Sequence, residues 1–352
     1  VWKEVSLSGN HYELGYEHGV QLRETILKNI EINALLNAHY TGLTPNKMRE
    51  GASKYLSFLM TNYRHFYEEI RGVSEGSGAD IVDIMVLNLH GRDMLGACTL
   101  FAVPSALAED GRALVGQTVD WSPLLDSNYV VLRIRDEEHG LNMDMFTEAG
   151  IIGLVGKNCG GVGECMSLLL TQSNSVEGLP AYLVLRHVLE QKRIGDALNA
   201  IINAPRASSF NYLISDDNGE IYNVEADSNQ YELFYIEDQI FTHTNHILGR
   251  SLFNADNYVK VSNSCETIHR CNRARKLLKQ CLSNGKIGPK DIMAIMRDHA
   301  SFPDSICRHP SENVSVEGQF KTIAAIVMRQ GEEGFWITRG NPCQNEFYKV
   351  SV

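Results

Sequence analysis

Leu95-Gly96-Ala97-Cys98-Thr99-Leu100-Phe101 is where this sequence changes character. Before it, residues 11–95 carry apolar side chains at helical spacing. From Cys98 onward, short apolar runs alternate with turn residues, as in a sheet. A cysteine that opens the first strand after two small residues suits one kind of chemistry. Its thiolate can attack the peptide bond before it, and cleavage would leave Cys98 as a new N-terminus. The freed α-amine then serves as base for the thiol of the same residue. Gly96 and Ala97 let the backbone bend toward that thiol without a side-chain clash. Residue type alone would make Cys98 a buried small hydrophobe, the commonest state of a free cysteine, so the case rests on what surrounds it.

Upstream, residues 1–8 read as a short strand. A helix follows from His11 to about His39, with Leu22, Ile26, Ile30, Leu35 and Leu36 on its stripe. Glycines at 15 and 19 on that helix indicate close packing against a neighbour. His18 reads as a hydrogen-bonded structural residue. Thr44-Pro45 starts a second helix, whose stripe runs from Ala52 through Tyr55, Leu59, Tyr63 and Phe66 to Ile70. Ile81 to Asp93 reads as a third.

Downstream, Cys98–Pro104 and Arg112–Thr118 flank Asp110-Gly111, a hairpin signal. Further hairpins surround His139-Gly140, Asn158–Gly163 and Asn218-Gly219. The glycines at 160, 161 and 163 precede no helix pattern, so they are not a nucleotide loop. Helices are expected after Pro180, over 196–204, 265–283 and 288–298. Short strands end at His246, and closing strands lie at 322–328, 335–339 and 347–350. Strands, helices and strands again, joined by hairpins, predict an α+β fold. The arrangement expected is a four-layer αββα sandwich of two antiparallel sheets flanked by helices, one domain over residues 1–352.

Composition narrows the function classes. The 352 residues are 43% hydrophobic and 21% charged, with a formal charge of −11. A chain this acidic lacks the basic surface that nucleic-acid binding needs. No apolar run reaches the length of a membrane span, and no secretory pattern is visible. The eight cysteines (98, 159, 165, 265, 271, 281, 307 and 343) form no Cys-x-x-Cys pair and show neither a disulfide framework nor a zinc spacing. A reducing intracellular compartment is the expectation.

Taken together, several stretches resemble the acyl-coenzyme A:6-aminopenicillanic acid acyltransferase family, within the N-terminal nucleophile hydrolases. They are Gly15-Tyr16-Glu17-His18-Gly19, Tyr67-Glu68-Glu69-Ile70-Arg71-Gly72, Ala97-Cys98-Thr99 and Gly116-Gln117-Thr118-Val119-Asp120. Thr147–Gly153, His243-Thr244-Asn245-His246 and Ser305-Ile306-Cys307-Arg308 continue the series in the same order. The resemblance implies the αββα fold and cleavage between Ala97 and Cys98. An α fragment, residues 1–97, would stay bound to a β fragment, residues 98–352, with Cys98 as acyl-accepting nucleophile.

Two further positions carry over. Asp120 matches the family's active-site aspartate, and a carboxylate there could orient the α-ammonium of Cys98. Asn245 matches the oxyanion-hole asparagine, whose amide would donate to the tetrahedral oxyanion. Thr99, His243, Arg308 and Gln319 are candidate substrate-side or supporting residues. Strand geometry puts His243 and His246 on opposite faces, so the pair reads as structural, and no metal or organic cofactor is expected. Where penicillin-forming members carry a Ser-Arg pair, this chain has Gly318-Gln319. That departure counts against a penicillin-type substrate and leaves Lys321 or Arg308 to supply a cation. The resemblance also covers hydrolases of β-alanyl amines and other N-acyl amino compounds. The expected reaction is therefore hydrolysis or transfer of an acyl group from a small amide or thioester through an acyl-thioester on Cys98. The alternative is an uncleaved, non-catalytic relative that binds a small acyl compound or a partner. Ile247–Asn263 reads as a substrate-facing loop.

Overall fold

The computed structural model describes residues 1–89, 97–171, 173–252 and 265–350. Gly96, the end of the expected third helix and residues 253–263 of the expected substrate-facing loop lie outside the described residues. The N-terminal region is helical: α1 (His11–Thr41), α2 (Pro45–Asn62), α3 (Arg64–Ser77) and α4 (Ile81–Asn88). Asn10 caps α1 reciprocally. Its side chain accepts from the Glu13 backbone N–H, and the Glu13 carboxylate accepts from the Asn10 N–H. The single helix expected over 44–72 is broken at Tyr63, whose φ of −139° and ψ of 60° leave helical space. The break re-aims α3 so that it lies along α1 on their glycines. A Cβ at Gly15 would overlap the Glu69 carbonyl, and one at Gly72 the Tyr12 carbonyl. The expected close packing at Gly15 and Gly19 is therefore what the structure has.

Two sheets follow. The smaller runs β11 (Phe241–His243), β2 (Ala97–Val103), β3 (Leu114–Trp121), β12 (Lys321–Arg329), β13 (Phe335–Ile337) and β14 (Tyr348–Val350). The larger runs β1 (Lys3–Gly9), β4 (Tyr129–Asp136), β5 (Leu141–Glu148), β6 (Val155–Asn158), β7 (Gly163–Leu168), β8 (Phe210–Ser215), β9 (Ile221–Ala226) and β10 (Tyr231–Tyr235). Among the described residues, pairings between the named strands are antiparallel with one exception: β1 joins the edge of the larger sheet parallel to β4, Lys3 opposite Val130. A strand arriving from outside the hairpin series has no turn to force antiparallel entry. Gly111 supplies the positive φ of +67° between β2 and β3.

The sheets pack face to face through β2 and β3 against β7. Alternation along β2 and β12 splits their side chains between two cores. Cys98, Leu100, Ala102, Ala324, Ile326 and Met328 face the inter-sheet core. Phe101, Val103, Ala325 and Val327 face the other way, onto Ala274 and Leu278 of α7 (Cys265–Asn284) and Ile292 of α8 (Pro289–Ile295). On the far side of the larger sheet, α1 packs against β1, and α5 (Ala181–Leu189) and α6 (Ile194–Ile202) against β6–β9. The result is helix, sheet, sheet, helix: the expected four layers. Among the described residues no helix is long and apolar enough to cross a membrane.

Candidate active site

Cys98 is the second residue of β2 and is buried, with its side chain between the sheets. Its backbone N–H donates to Asn245 Oδ1 at 2.9 Å. Asn245 sits just beyond β11, the strand beside β2, and its own N–H donates to Thr267 Oγ1 of α7 at 2.9 Å. Its Nδ2 donates to the Leu168 carbonyl at the end of β7, at 3.1 Å. The amide is thus oriented by donors on one side and an acceptor on the other. In this uncleaved chain the oxygen, rather than the expected N–H₂ group, faces Cys98.

Asp120 lies on β3, where pairing puts it opposite Ala97. Thr322 Oγ1 donates to its Oδ1 at 2.7 Å, and Thr118 Oγ1 donates to its Oδ2 at 3.3 Å. Burial pushes the Asp120 carboxyl up to about 6, against the pull of Arg270 and the Thr322 hydrogen bond. Burial likewise pushes the Cys98 thiol up to about 12, and the Asp120 charge adds to the shift. The backbone N–H groups of Asp120 and Leu168 act in the opposite direction. While Cys98 remains peptide-bonded, a neutral thiol therefore stands beside a carboxylate with enhanced basicity.

Arg270 is the residue that sequence reasoning missed. It lies on α7, is 1% exposed, and reaches through the sheet layer to the site. Nη1 donates to the Cys98 carbonyl at 2.6 Å and to Thr99 Oγ1 at 3.1 Å, and Nη2 donates to Asn245 Oδ1 at 3.1 Å. A signal was available: Arg270 falls on the buried stripe of α7 with Thr267, Ala274 and Leu278, where an arginine has to have a partner.

A cleft of about 330 Å³ opens over Ala97 and Asn245. Its far wall carries Arg308, Gln319 and Phe320. Arg308 pairs with Asp304 at 2.5 Å, and its backbone N–H donates to Thr322 Oγ1, the hydroxyl that holds Asp120. Gln319 is tied into its own loop, donating to the Ser311 and Val314 carbonyls at 3.1 Å each. Lys321 turns away to Asp126, at 3.0 Å. Cys98 and Asp120 themselves line a separate small recess, walled by Val119, Leu154, Met166 and Phe210.

The remaining candidates support the site from outside. Thr99 faces away from Cys98, onto Arg270. His243 is buried against Glu225 at 2.7 Å and the Thr244 carbonyl, and His246 contacts the Thr244 and Thr267 hydroxyls. Both histidines are hydrogen-bonded structural residues. So is His18, whose Nε2 accepts from the Gly150 N–H at 2.9 Å.

Comparison with known proteins adds a family to this geometry. The profile of the family described as acyl-coenzyme A:6-aminopenicillanic acid acyl-transferase matches residues 107–344. The 40 kDa form of acyl-coenzyme A:6-aminopenicillanic-acid-acyltransferase from Emericella nidulans is 27% identical over 333 residues, 88% of this chain and 86% of that protein. Protein dcd1B of Dictyostelium discoideum is 23% identical over 57% of this chain and 45% of its own length. Among solved structures, a variant of conjugated bile acid hydrolase from Clostridium perfringens superposes with a TM-score of 0.47 at 14% identity, over 72% of this chain and 97% of that one. Penicillin V acylase from Agrobacterium tumefaciens gives 0.42 at 10% identity, over 69% and 83%. With a profile match across about two thirds of its length, the chain belongs to the acyl-coenzyme A:6-aminopenicillanic acid acyl-transferase family.

Proposed function

We propose that this protein is a self-processing cysteine amidohydrolase or acyltransferase with Cys98 as nucleophile. Membership of an acyltransferase family supports acyl transfer or amide hydrolysis as the reaction class. The observation that carries the finer reading is the setting of the 97–98 peptide. Its Ala97 side lines the cleft, its Cys98 side lines the small recess next to it together with Asp120, whose carboxyl is elevated, and the Cys98 nitrogen is on Asn245 Oδ1.

In the first stage the Asp120 carboxylate accepts the thiol proton, and Sγ attacks the Ala97 carbonyl carbon. Collapse breaks the C–N bond, and the proton passes to the Cys98 nitrogen. Water then hydrolyses the thioester, releasing the Ala97 carboxylate and regenerating the thiol. The new α-amine stays anchored on Asn245 Oδ1 and beside Asp120. There it serves as base for the same thiol when a substrate carbonyl enters the cleft. Asn245 Nδ2, which gives one N–H to the Leu168 carbonyl, supplies its second N–H as an oxyanion donor, a contribution of about 3 kcal/mol to the barrier. An acyl-thioester on Cys98 is resolved by water or by an amine. Hydrolysis of a small acyl-amide is the preferred cellular reaction because it needs no second substrate site. The reaction as written uses no cofactor.

Intact mass and N-terminal sequencing of fresh protein, beside Cys98→Ala, test the reading. Wild type should give two fragments, the larger beginning at Cys98, while the variant stays whole. If wild type also persists as one 39.4 kDa chain under every condition tried, Cys98 has no free amine and the proposal fails.

A further inference from the structure

Beyond the cleft, the fold brings Cys343 to three side chains of the connection between α8 and β12. His299 follows α8, Cys307 and His309 lie on the strap leading back to β12, and Cys343 lies between β13 and β14. One ligand atom from each, two imidazole nitrogens and two sulfurs, falls within 4.8 Å of all the others. Nε2 of His299 is 3.1 Å from Nε2 of His309, which is 3.6 Å from Cys307 Sγ and 3.4 Å from Cys343 Sγ. Tetrahedral coordination with bonds of about 2.0–2.1 Å to nitrogen and about 2.3 Å to sulfur places ligand atoms roughly 3.3–3.8 Å apart. The three spacings from His309 Nε2 are close to the edges of that tetrahedron, and the other three lie within 4.8 Å.

We infer that His299, Cys307, His309 and Cys343 form a structural zinc(II) site. The donor set is the Cys₂His₂ combination of closed structural zinc sites, and softer sulfur ligands disfavour magnesium and calcium. Two donors converge on one of the sulfurs. Asn341 Nδ2 lies 3.5 Å from Cys307 Sγ as a donor, and the Cys343 backbone N–H points at the same sulfur. Phe302 is 62% exposed, an odd place for a phenyl ring, yet its ring packs against both imidazoles, 6.0 Å from His299 and 5.1 Å from His309. Binding converts two thiols to thiolates and releases two protons, leaving a site of zero net charge with two neutral imidazoles.

The site clamps the strap that builds the cleft wall. Arg308 sits between two ligands. Its carbonyl accepts from Asn341 Nδ2 at 2.6 Å and from the Thr322 N–H at 3.0 Å. Zinc would thus fix the end of β12 that holds Asp120, and removing it would loosen the cleft from outside. The inference stands independently of whether Cys98 is the nucleophile, because its readout is metal content.

The experiment is elemental analysis of protein purified under reducing conditions, supplied with zinc and dialysed. Wild type and Cys159→Ser, an exposed cysteine elsewhere, should each keep one zinc per chain. His299→Ala and Cys343→Ser should fall below about a tenth of that, and Cys343→His, which preserves a ligand, should retain it. Cobalt(II) loaded into zinc-free wild type should show thiolate-to-metal charge-transfer absorption and tetrahedral d–d bands, a readout that needs no variant to fold. Wild type with no retained zinc and no such bands overturns the inference. So does a Cys307–Cys343 disulfide as the state of freshly isolated protein, or zinc content that ignores the ligand substitutions.

Discussion

Two buried polar clusters lie in different layers of this molecule, and they solve the problem of buried charge in opposite ways. Between α1, α3 and α5, the side chains of His11, Glu69, Arg186 and Glu190 are all buried. His11 Nδ1 meets Glu69 at 2.6 Å, and Arg186 reaches Glu69 and Glu190 at 3.2 Å each. Burial alone would raise the Glu190 carboxyl, but His187, Arg186 and the neighbouring histidines hold it down at about 2. At the Cys98 site the balance tips the other way. Burial wins over Arg270 and Thr322, and Asp120 stays poised at about 6. A fully compensated cluster holds layers together, whereas an undercompensated one retains a group ready to take a proton. Stability and chemistry should therefore separate cleanly between the two.

The largest expected effect is on chemistry. Asp120→Asn should slow self-cleavage by about 10²–10⁴-fold, while thermal stability at pH 8 does not fall, because the charge removed is one that burial disfavours. Next comes a loss of stability. Arg186→Leu leaves Glu69 and Glu190 buried without their cation and should cost about 3–5 kcal/mol in denaturant unfolding. The fraction that folds at low temperature should still process at Cys98. If Asp120→Asn destabilises as much as Arg186→Leu, the two clusters do not differ in kind and the contrast collapses.

His18 extends the contrast to a single group. Burial depresses its imidazole from 6.5 to about 4, so the folded protein keeps it neutral as the unfolded chain protonates. Its stabilisation is present above pH 6.5 and is lost as pH falls toward 4, by about 3 kcal/mol in all. His18→Gln should flatten that part of the stability profile while leaving the processing profile unchanged. A processing profile that moves with His18 would tie the helical layer to the chemistry.

Much of this was legible in the sequence because it follows from local rules. Short apolar runs bounded by turn residues marked β2, β3 and β12, and Asp-Gly and Asn-Gly pairs marked hairpins around β3 and β9. Cys98, Asp120 and Asn245 sit at strand ends and were identifiable from their residues and the family resemblance. What stayed hidden depends on distance in space. Arg270 reaches the site from a helix 172 residues beyond Cys98, and its position on an apolar stripe was the one clue. His299, Cys307, His309 and Cys343 have no recognisable spacing because two separate connections, α8–β12 and β13–β14, deliver them. The break at Tyr63 interrupts an unbroken apolar stripe, so periodicity could not reveal it. β10, Tyr231–Tyr235, alternates between exposed and half-buried residues at a sheet edge, too weakly patterned to announce a strand.

The smallest expected effect is the most discriminating, because Thr322 belongs to both kinds of order at once. Its hydroxyl donates to Asp120 Oδ1 at 2.7 Å and accepts from the Arg308 N–H at 2.9 Å. Thr322→Val keeps the shape and removes both bonds. Losing the second leaves a buried N–H unpaired, a cost of about 1–2 kcal/mol. Losing the first removes a hydrogen bond to the charged form of Asp120, so its carboxyl should climb further above about 6. In the proposed self-cleavage the carboxylate takes the thiol proton, so the rate should rise through pH 6 in wild type and through a midpoint about half a unit to one unit higher in the variant. At pH 8 the two rates should nearly converge. A variant slowed equally at every pH would mean that Thr322 only shapes the site. A midpoint that moves with little loss of stability would identify the proton acceptor as Asp120 itself.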